Sequence, residues 1–263
     1  MRHAPSETFP PKHPPANKFT MKPETTPDSY RDAIISVYET LEPGETDSWN
    51  PLYSDFQLTL RLSLLYLARE ALKMVSCPME TMQILDIGCG TGRASRMYVD
   101  LGFMPQQITG MDLREGTVQM AGKLNPAIQY VTQEEWIKNP SKQYDWISLV
   151  TVVSSLSTEE DRRFVVKQAN SVLKPGGYLF YYDLVRANSF AGSDLIEPAK
   201  LFDGFERIWH PRVRDFQFIP WQERARLFVN CYKKKDRMWK YWLRRIIGIG
   251  KAPSHETILL RKI

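Results

Sequence analysis

Asp86, Gly88, Gly90 and Gly92 stand close together in the run Gln83–Arg93, where an apolar stretch breaks into glycines at alternate positions. Without a Cβ the chain can turn sharply there and bring its backbone against a ligand. A helical pattern starts at Arg93, and the first N–H groups of a helix have no partner within it. In a doubly wound sheet such a corner receives a nucleotide-like ligand. The spacing is G-x-G-x-G, unlike the G-x-G-x-x-G of dinucleotide folds or the phosphate-cradling G-x-x-x-x-G-K-[ST]. The acidic Asp86, two residues ahead of Gly88, suits a cationic ligand group better than a pyrophosphate by charge alone. Asp112 lies 20 positions after Gly92, at the end of the next apolar run. A carboxylate there can accept both hydroxyls of a ribose; the alternative is an N-cap for the helix that follows.

The sequence Asp-Ile-Gly-Cys-Gly-Thr-Gly over 86–92 resembles motif I of the class I S-adenosylmethionine-dependent methyltransferases. Four further stations follow in that family's order up to Asp183: Asp112, the segment Thr132–Trp136, the run Tyr144–Val150, and Leu173-Lys174-Pro175-Gly176-Gly177 before Tyr178–Asp183. The resemblance implies a doubly wound α/β fold, a seven-stranded, mostly parallel sheet with an N-terminal helical cap. It implies S-adenosylmethionine as cofactor, held by Asp86, Gly88, Cys89, Gly90, Gly92, Asp112, Leu113 and Thr151. Glu134 falls where the family places an acid against the adenine amino group, with Gln133 and Glu135 as rivals.

Methyl transfer from a sulfonium is a direct displacement, so the protein chiefly aligns donor and acceptor and removes water. A hydroxyl acceptor adds the need for a base within hydrogen-bond reach. Asp183, at the end of the fifth expected strand, and His210, in Trp209-His210-Pro211, are the two candidates. Their structural alternatives are a loop-capping carboxylate and a surface histidine. The stretch Thr151-Val152-Val153-Ser154 is unlike the Asn-Pro-Pro-Tyr of base amino-methyltransferases and holds no cysteine nucleophile for C5 chemistry. Small molecules or glycans are the expected acceptors, and nucleic acid is disfavoured. Other readings stay open: a protein acceptor, a methyltransferase fold kept as a non-catalytic scaffold, or a nicotinamide oxidoreductase with altered glycine spacing.

These residues must be positioned by elements the pattern also forecasts. Strands are expected at 83–87, 107–113, 128–131, 144–150 and 178–183, with helices at about 93–101, 115–123 and from 159 through Val172. An antiparallel pair within Arg212–Ile219 and at about His255–Arg261 should complete the sheet. Ahead of the sheet, residues 29–80 form the cap, with helices at 29–41 and about 55–75; Trp49, Tyr53 and Arg61 matter if the cap leans over the cofactor. Residues 1–28 contain seven prolines and few apolar side chains, too little to offset ordering entropy, and are expected to be a disordered leader. Residues 81–263 make up the methyltransferase domain.

The 263 residues are 43% hydrophobic and 25% charged, ordinary for a globular chain. Three scattered cysteines give neither a disulfide framework nor a zinc site, and no apolar run is long enough to span a bilayer. A cytoplasmic setting is the simplest expectation. The net charge of +5 is unevenly placed: residues 222–251 hold ten Lys or Arg against two acids, so the remainder carries −3. Lys233, Lys234 and Lys235 lead into a segment to about 247 with Met238, Trp239, Trp242, Leu243 and Ile246 on one side. Such a helix either docks on its own domain or makes a peripheral contact with an anionic membrane. Oligomeric state is not legible.

Overall fold

Apolar runs four to seven residues long between turn signals favour strands buried on both faces, and the computed structural model pairs all of those forecast up to residue 183. It describes residues 35, 55–138, 142–185, 196–211, 225, 229, 232 and 255–263. The strands are β1 (Ile84–Ile87), β2 (Ile108–Asp112), β3 (Gln129–Thr132), β4 (Tyr144–Val150), β5 (Leu173–Leu184), β6 (Phe205–Trp209) and β7 (His255–Lys262). They form one seven-stranded sheet in the order β3-β2-β1-β4-β5-β7-β6. The first five run parallel, and β7 is antiparallel to both β5 and β6. Strand order reverses between β1 and β4, and the crevice beyond their carboxyl ends is where such sheets bind ligands.

The helices are α1 (Asp55–Leu72), α2 (Arg93–Asp100), α3 (Glu115–Leu124), α4 (Gln133–Lys138) and α5 (Glu159–Val172). On one face of the sheet, Leu67, Ala68 and Ala71 of α1 and Met97 and Tyr98 of α2 pack on Ile84, Ile108, Trp146 and Phe180. On the other face, Val165, Val166, Ala169 and Val172 of α5 pack on Leu85, Ile147, Leu149, Leu179 and Tyr181. Each large apolar side chain so buried stabilises the fold by about 1.5–3 kcal/mol relative to exposure. Trp146 is fully buried; its ring stacks on Phe180 at 5.7 Å and its Nε1 donates to Tyr98 Oη at 2.8 Å.

At three places the structure adds to or differs from the expected pattern. The segment 132–136, for which no helix was expected, enters α4 at Gln133: Glu135 accepts from Thr132 N and Oγ1 at 2.9 and 3.1 Å, and Thr132 Oγ1 accepts from Glu135 N. That is a capping box in form. The sheet's sixth strand is Phe205–Trp209; the strand expected within 212–219 lies outside the described residues. Its Glu206 and Arg207 mask the strand pattern, and charge is what an edge strand tolerates. The turn at Lys174-Pro175-Gly176-Gly177 is absorbed into β5 as an irregularity: Leu173 pairs with Tyr144, then the ladder resumes at Trp146 with Tyr178. Gly176, at φ 72°, lets the strand bulge there.

The leader 1–28 and the Trp49–Tyr53 turn fall outside the described residues, as do Lys233–Ile247. Of the helix at 29–41 only Ile35 is described, and it is helical. Among the described residues no helix is long and apolar enough to cross a membrane.

Candidate functional site

The glycine corner joins β1 to α2. Gly88, Gly90 and Gly92 all take left-handed backbone, with φ of 69°, 55° and 79°, a region that side chains rarely enter. A Cβ at Gly92 would run into Tyr130 Oη and come within 2.9 Å of Asn125 Nδ2, and one at Gly88 would come within 2.6 Å of Val152. At Gly90 an added Cβ would meet no atom within 4 Å. The corner is therefore packed at its two ends and open at its middle. Cys89 N donates to Met111 O at 3.0 Å, while the Cys89 side chain is buried, its thiol pushed upward by that burial and then by the charges of Asp86 and Asp112. Its backbone is engaged as well, since Cys89 O accepts from Gly92 N at 2.9 Å.

Asp112 reaches the same loop from the end of β2. Its Oδ2 accepts from Gly90 N at 2.9 Å and its Oδ1 from Arg114 N at 3.1 Å, with Arg114 Nε 3.6 Å away. The second contact is a turn formed with the residue two places on; α3 itself begins after Arg114 with no side-chain cap. Each carboxylate oxygen retains a further lone pair, and 11% of the side chain is exposed.

Asp86 lies in the interior, 1% exposed. Ser95 of α2 donates to its Oδ2 at 2.6 Å and Ser148 of β4 to its Oδ1 at 2.9 Å. Burial pushes its carboxyl up to about 6, against the pull of those two hydroxyls. The carboxylate thus ties the helix after the glycine corner to the neighbouring strand. Ser148 alternates with apolar residues in a fully buried run, which was the available sequence signal for this partnership.

At the carboxyl end of β4, Thr151 is the one non-glycine with positive φ among the described residues, at 57°. For a β-branched residue this is strained backbone. It is held by Thr151 N donating to Tyr182 O at 2.8 Å and by its Oγ1 donating to Val150 O at 2.7 Å. The next residue, Val152, is the one that packs on Gly88. Asp183, fully buried, then accepts from Val153 N at 2.7 Å, Ser154 N at 3.2 Å and Leu184 N at 2.7 Å. Burial raises its carboxyl to about 6, opposed by these hydrogen bonds. In this arrangement Asp183 caps the turn that walls the glycine corner.

His210 follows β6, which runs in the same direction as β5, so it stands at the same edge of the sheet. Its Nε2 is 2.9 Å from Glu256 Oε1, with side chains 35% and 22% exposed. Glu256 pairs with Asp183 across β5 and β7; the sequence carried no sign of this partner. Of the three residues proposed near the adenine, Gln133 is buried and donates to Gln168 at 3.0 Å, Glu135 is spent on Thr132, and Glu134 is exposed. Leu113 is half-buried beside Asp112. Among the described residues no group of His, Cys, Asp and Glu is arranged to hold a metal ion.

Residues 84–177 match the family model of the methyltransferase domain. The chain is 30% identical over 118 residues to the ubiquinone biosynthesis O-methyltransferase of Albidiferax ferrireducens, covering 42% of this chain and 44% of that protein. It is 28% identical over 144 residues to the enzyme of the same name from Bordetella avium, covering 52% and 56%. The chain thus spans about half the length of these curated relatives. Among solved structures, the N-methyltransferase NodS of Bradyrhizobium japonicum, in complex with S-adenosylhomocysteine, superposes with a TM-score of 0.57 at 15% identity over 88% of this chain and 99% of that one. Magnesium protoporphyrin IX methyltransferase of Synechocystis, with bound S-adenosylmethionine, gives 0.55 at 12% identity over 88% and 98%. The sheet order and the position of the corner are those of the class I methyltransferase fold.

Proposed function

We propose, for a chain whose residues 84–177 belong to the methyltransferase-domain family, that it moves a methyl group from S-adenosylmethionine to an oxygen of a small molecule or glycan. The observation that carries the reading is the glycine corner, closed at Gly88 and Gly92, open at Gly90, and gripped from β2 by Asp112. These residues fit the cofactor: the open middle admits close backbone approach, and the lone pairs left on Asp112 suit the two ribose hydroxyls. When bound, the sulfonium supplies an activated methyl group and its own leaving group.

The chain's share is then to hold, orient and keep dry. Asp112 both shapes the loop and receives the ribose. Asp86, through Ser95 and Ser148, fixes α2 relative to β4. Asp183 holds the turn at 153–154, so the wall made by Thr151 and Val152 does not move. Glu134, exposed on the first turn of α4, is the acid that faces the adenine edge in this reading. The pair His210 and Glu256 is the proton-accepting candidate, the carboxylate orienting the imidazole. It lies two strand spacings beyond β5, roughly 10 Å, so it serves an acceptor long enough to reach across β7. The oxygen acceptor is supported by the ubiquinone O-methyltransferase relatives. Peripheral membrane contact through 233–247 remains part of this reading, on sequence alone.

Calorimetric titration with S-adenosylmethionine and, separately, NAD tests it. Micromolar binding of the first alone is the expected result and opens an acceptor screen beginning with hydroxylated small molecules and glycans. Binding of neither would leave the fold as a scaffold.

A further inference from the structure

The turn that follows β4 is gripped from two sides. Asp183 accepts from Val153 N and Ser154 N, and Arg162 of α5 donates to the far end: its Nε and Nη2 both reach Leu156 O, at 3.0 and 2.8 Å. Arg162 is 6% exposed, a depth at which arginine is rarely found without a partner acid. The fork on one carbonyl uses two of the guanidinium's N–H donors, leaves the rest, and neutralises none of its charge. Among the described residues no carboxylate lies within ion-pair distance of it: Glu159 is held by Arg163 at 2.8 Å and Glu197 by Lys200 at 3.0 Å. A buried charge left unpaired is strongly destabilising.

Arg162 lines a cavity of about 40 Å³ together with Glu159, Ile196, Glu197, Lys200 and Leu201. The cavity lies at the ligand-binding edge of the sheet, because α5 starts shortly after β4 ends and Ile196 N donates to Val185 O, one residue past β5, at 3.1 Å. Tyr181 shares the apolar core with Ile196 and Leu201. Its ring stands edge-on to Phe202 at 5.2 Å, and its Oη is buried with no hydrogen-bond partner. We propose that this cavity anchors an oxyanion of the methyl acceptor, a carboxylate or a phosphoryl group, held by Arg162 with Lys200 at the rim. A planar guanidinium presents paired donors that match both groups. A cavity that takes benzene measures about 150 Å³, so this one admits a charged head group and leaves the body of the acceptor outside. The chain from Val152, which packs on Gly88, to Leu156, on which Arg162 is forked, separates the cavity from the glycine corner. The oxyanion therefore belongs to the acceptor and not to the cofactor. The inference rests on the methyltransferase reading only in calling its ligand an acceptor; the oxyanion chemistry stands without it.

The test is calorimetric titration of the full chain with propionate, the isosteric but neutral propionamide, inorganic phosphate and S-adenosylmethionine, repeated on Arg162→Gln and Lys200→Glu. The wild type should bind propionate or phosphate and not propionamide, and the anion preferred names the group. Arg162→Gln, which keeps a donor for Leu156 O, should weaken that anion by roughly tenfold or more, as expected for a lost charged hydrogen bond. Lys200→Glu, on the exposed rim, should weaken it by about threefold or more and leave S-adenosylmethionine binding unchanged. Binding of neither anion, equal binding of propionate and propionamide, or anion affinity unchanged in Arg162→Gln overturns the proposal. So does a loss in Arg162→Gln that falls equally on S-adenosylmethionine, which would make Arg162 a structural residue. Should Arg162→Gln fail to fold, unchanged anion binding by Lys200→Glu overturns it. An anion bound without S-adenosylmethionine refutes the methyltransferase reading and leaves the site standing; S-adenosylmethionine bound with no anion does the reverse.

Discussion

Asp86→Asn isolates the energetic cost of the charge held under the glycine corner. The folded carboxyl titrates at about 6 against an ordinary 3.8, so the folded protein keeps a proton there that the unfolded chain releases. Stability from this group is therefore full below the ordinary value and falls as pH rises through the window from about 4 to 6. A gap of about two units corresponds to ~3 kcal/mol. The variant has nothing to titrate at this position, and ionisable groups that do not interact with Asp86 are common to both proteins and cancel in the difference. Asparagine will pair imperfectly with Ser95 and Ser148, but that offset does not vary with pH. Urea unfolding of both proteins at about pH 4.5 and 7.5 should show the wild type losing ~2 kcal/mol relative to Asp86→Asn as pH rises. A difference independent of pH, or one that moves the other way, would refute the claim that burial outweighs the two hydroxyl hydrogen bonds.

Asp112→Ala should weaken S-adenosylmethionine binding by about 1–3 kcal/mol, because it strands both the ribose hydroxyls and Gly90 N; unaltered affinity in calorimetry would remove the ribose assignment. Gly92→Ala should cost ~2 kcal/mol or more of stability, the left-handed penalty plus the collision with Tyr130. Gly90→Ala, facing open space, should cost only ~1–2 kcal/mol in thermal unfolding while weakening the cofactor far more. Equal effects of the two on folding would show that the corner is not open at its middle. Neutralising Lys233, Lys234 and Lys235 should reduce sedimentation with anionic vesicles, by about 1 kcal/mol per lysine. Absence of binding by the unmodified protein would dispose of membrane contact.

The parallel core was legible because β1, β2, β4 and β5 are largely buried runs that stop at a glycine, an acid or a turn, while β3, less buried, was read from its short Ile-Gln-Tyr-Val pattern. Asp112 could be read for the same reason: its position after β2 follows from the length of one helix and one strand. What sequence could not supply was direction within the interior. Asp86 looks from its neighbours like a residue facing a ligand, yet the pleat sets it against α2, where Ser95 and Ser148 fill its oxygens. Asp183 likewise reads as a strand-end acid, but the amide groups it holds come from a turn some 30 residues earlier. Glu256 had no local signature at all, since its partner His210 is brought to it only by the antiparallel pairing of β6 and β7. The strand at Phe205–Trp209 went unread because an exposed edge strand needs no alternating pattern.

The place of β7 between β5 and β6 constrains the order in which the sheet can assemble. Its residues follow Trp209 only at His255, so the segment that fills the gap is distant in sequence from the strand it must anchor. Until Ile258, Leu259 and Leu260 arrive, β6 has no ladder to join and Tyr181 and Phe180 lack the neighbours that bury them beside β5. Pairing strands so far apart in sequence is a slow, entropy-limited event. During that interval the open side of β5 is a sticky apolar edge, the state in which such a chain most readily pairs with another copy. The glycine corner, built from β1, β2 and β4, has no such wait. The glycine-corner side can therefore form early while the β7 side is still incomplete, and a ligand gripped by the first half would be available to hold the nascent sheet until the last strand is in place.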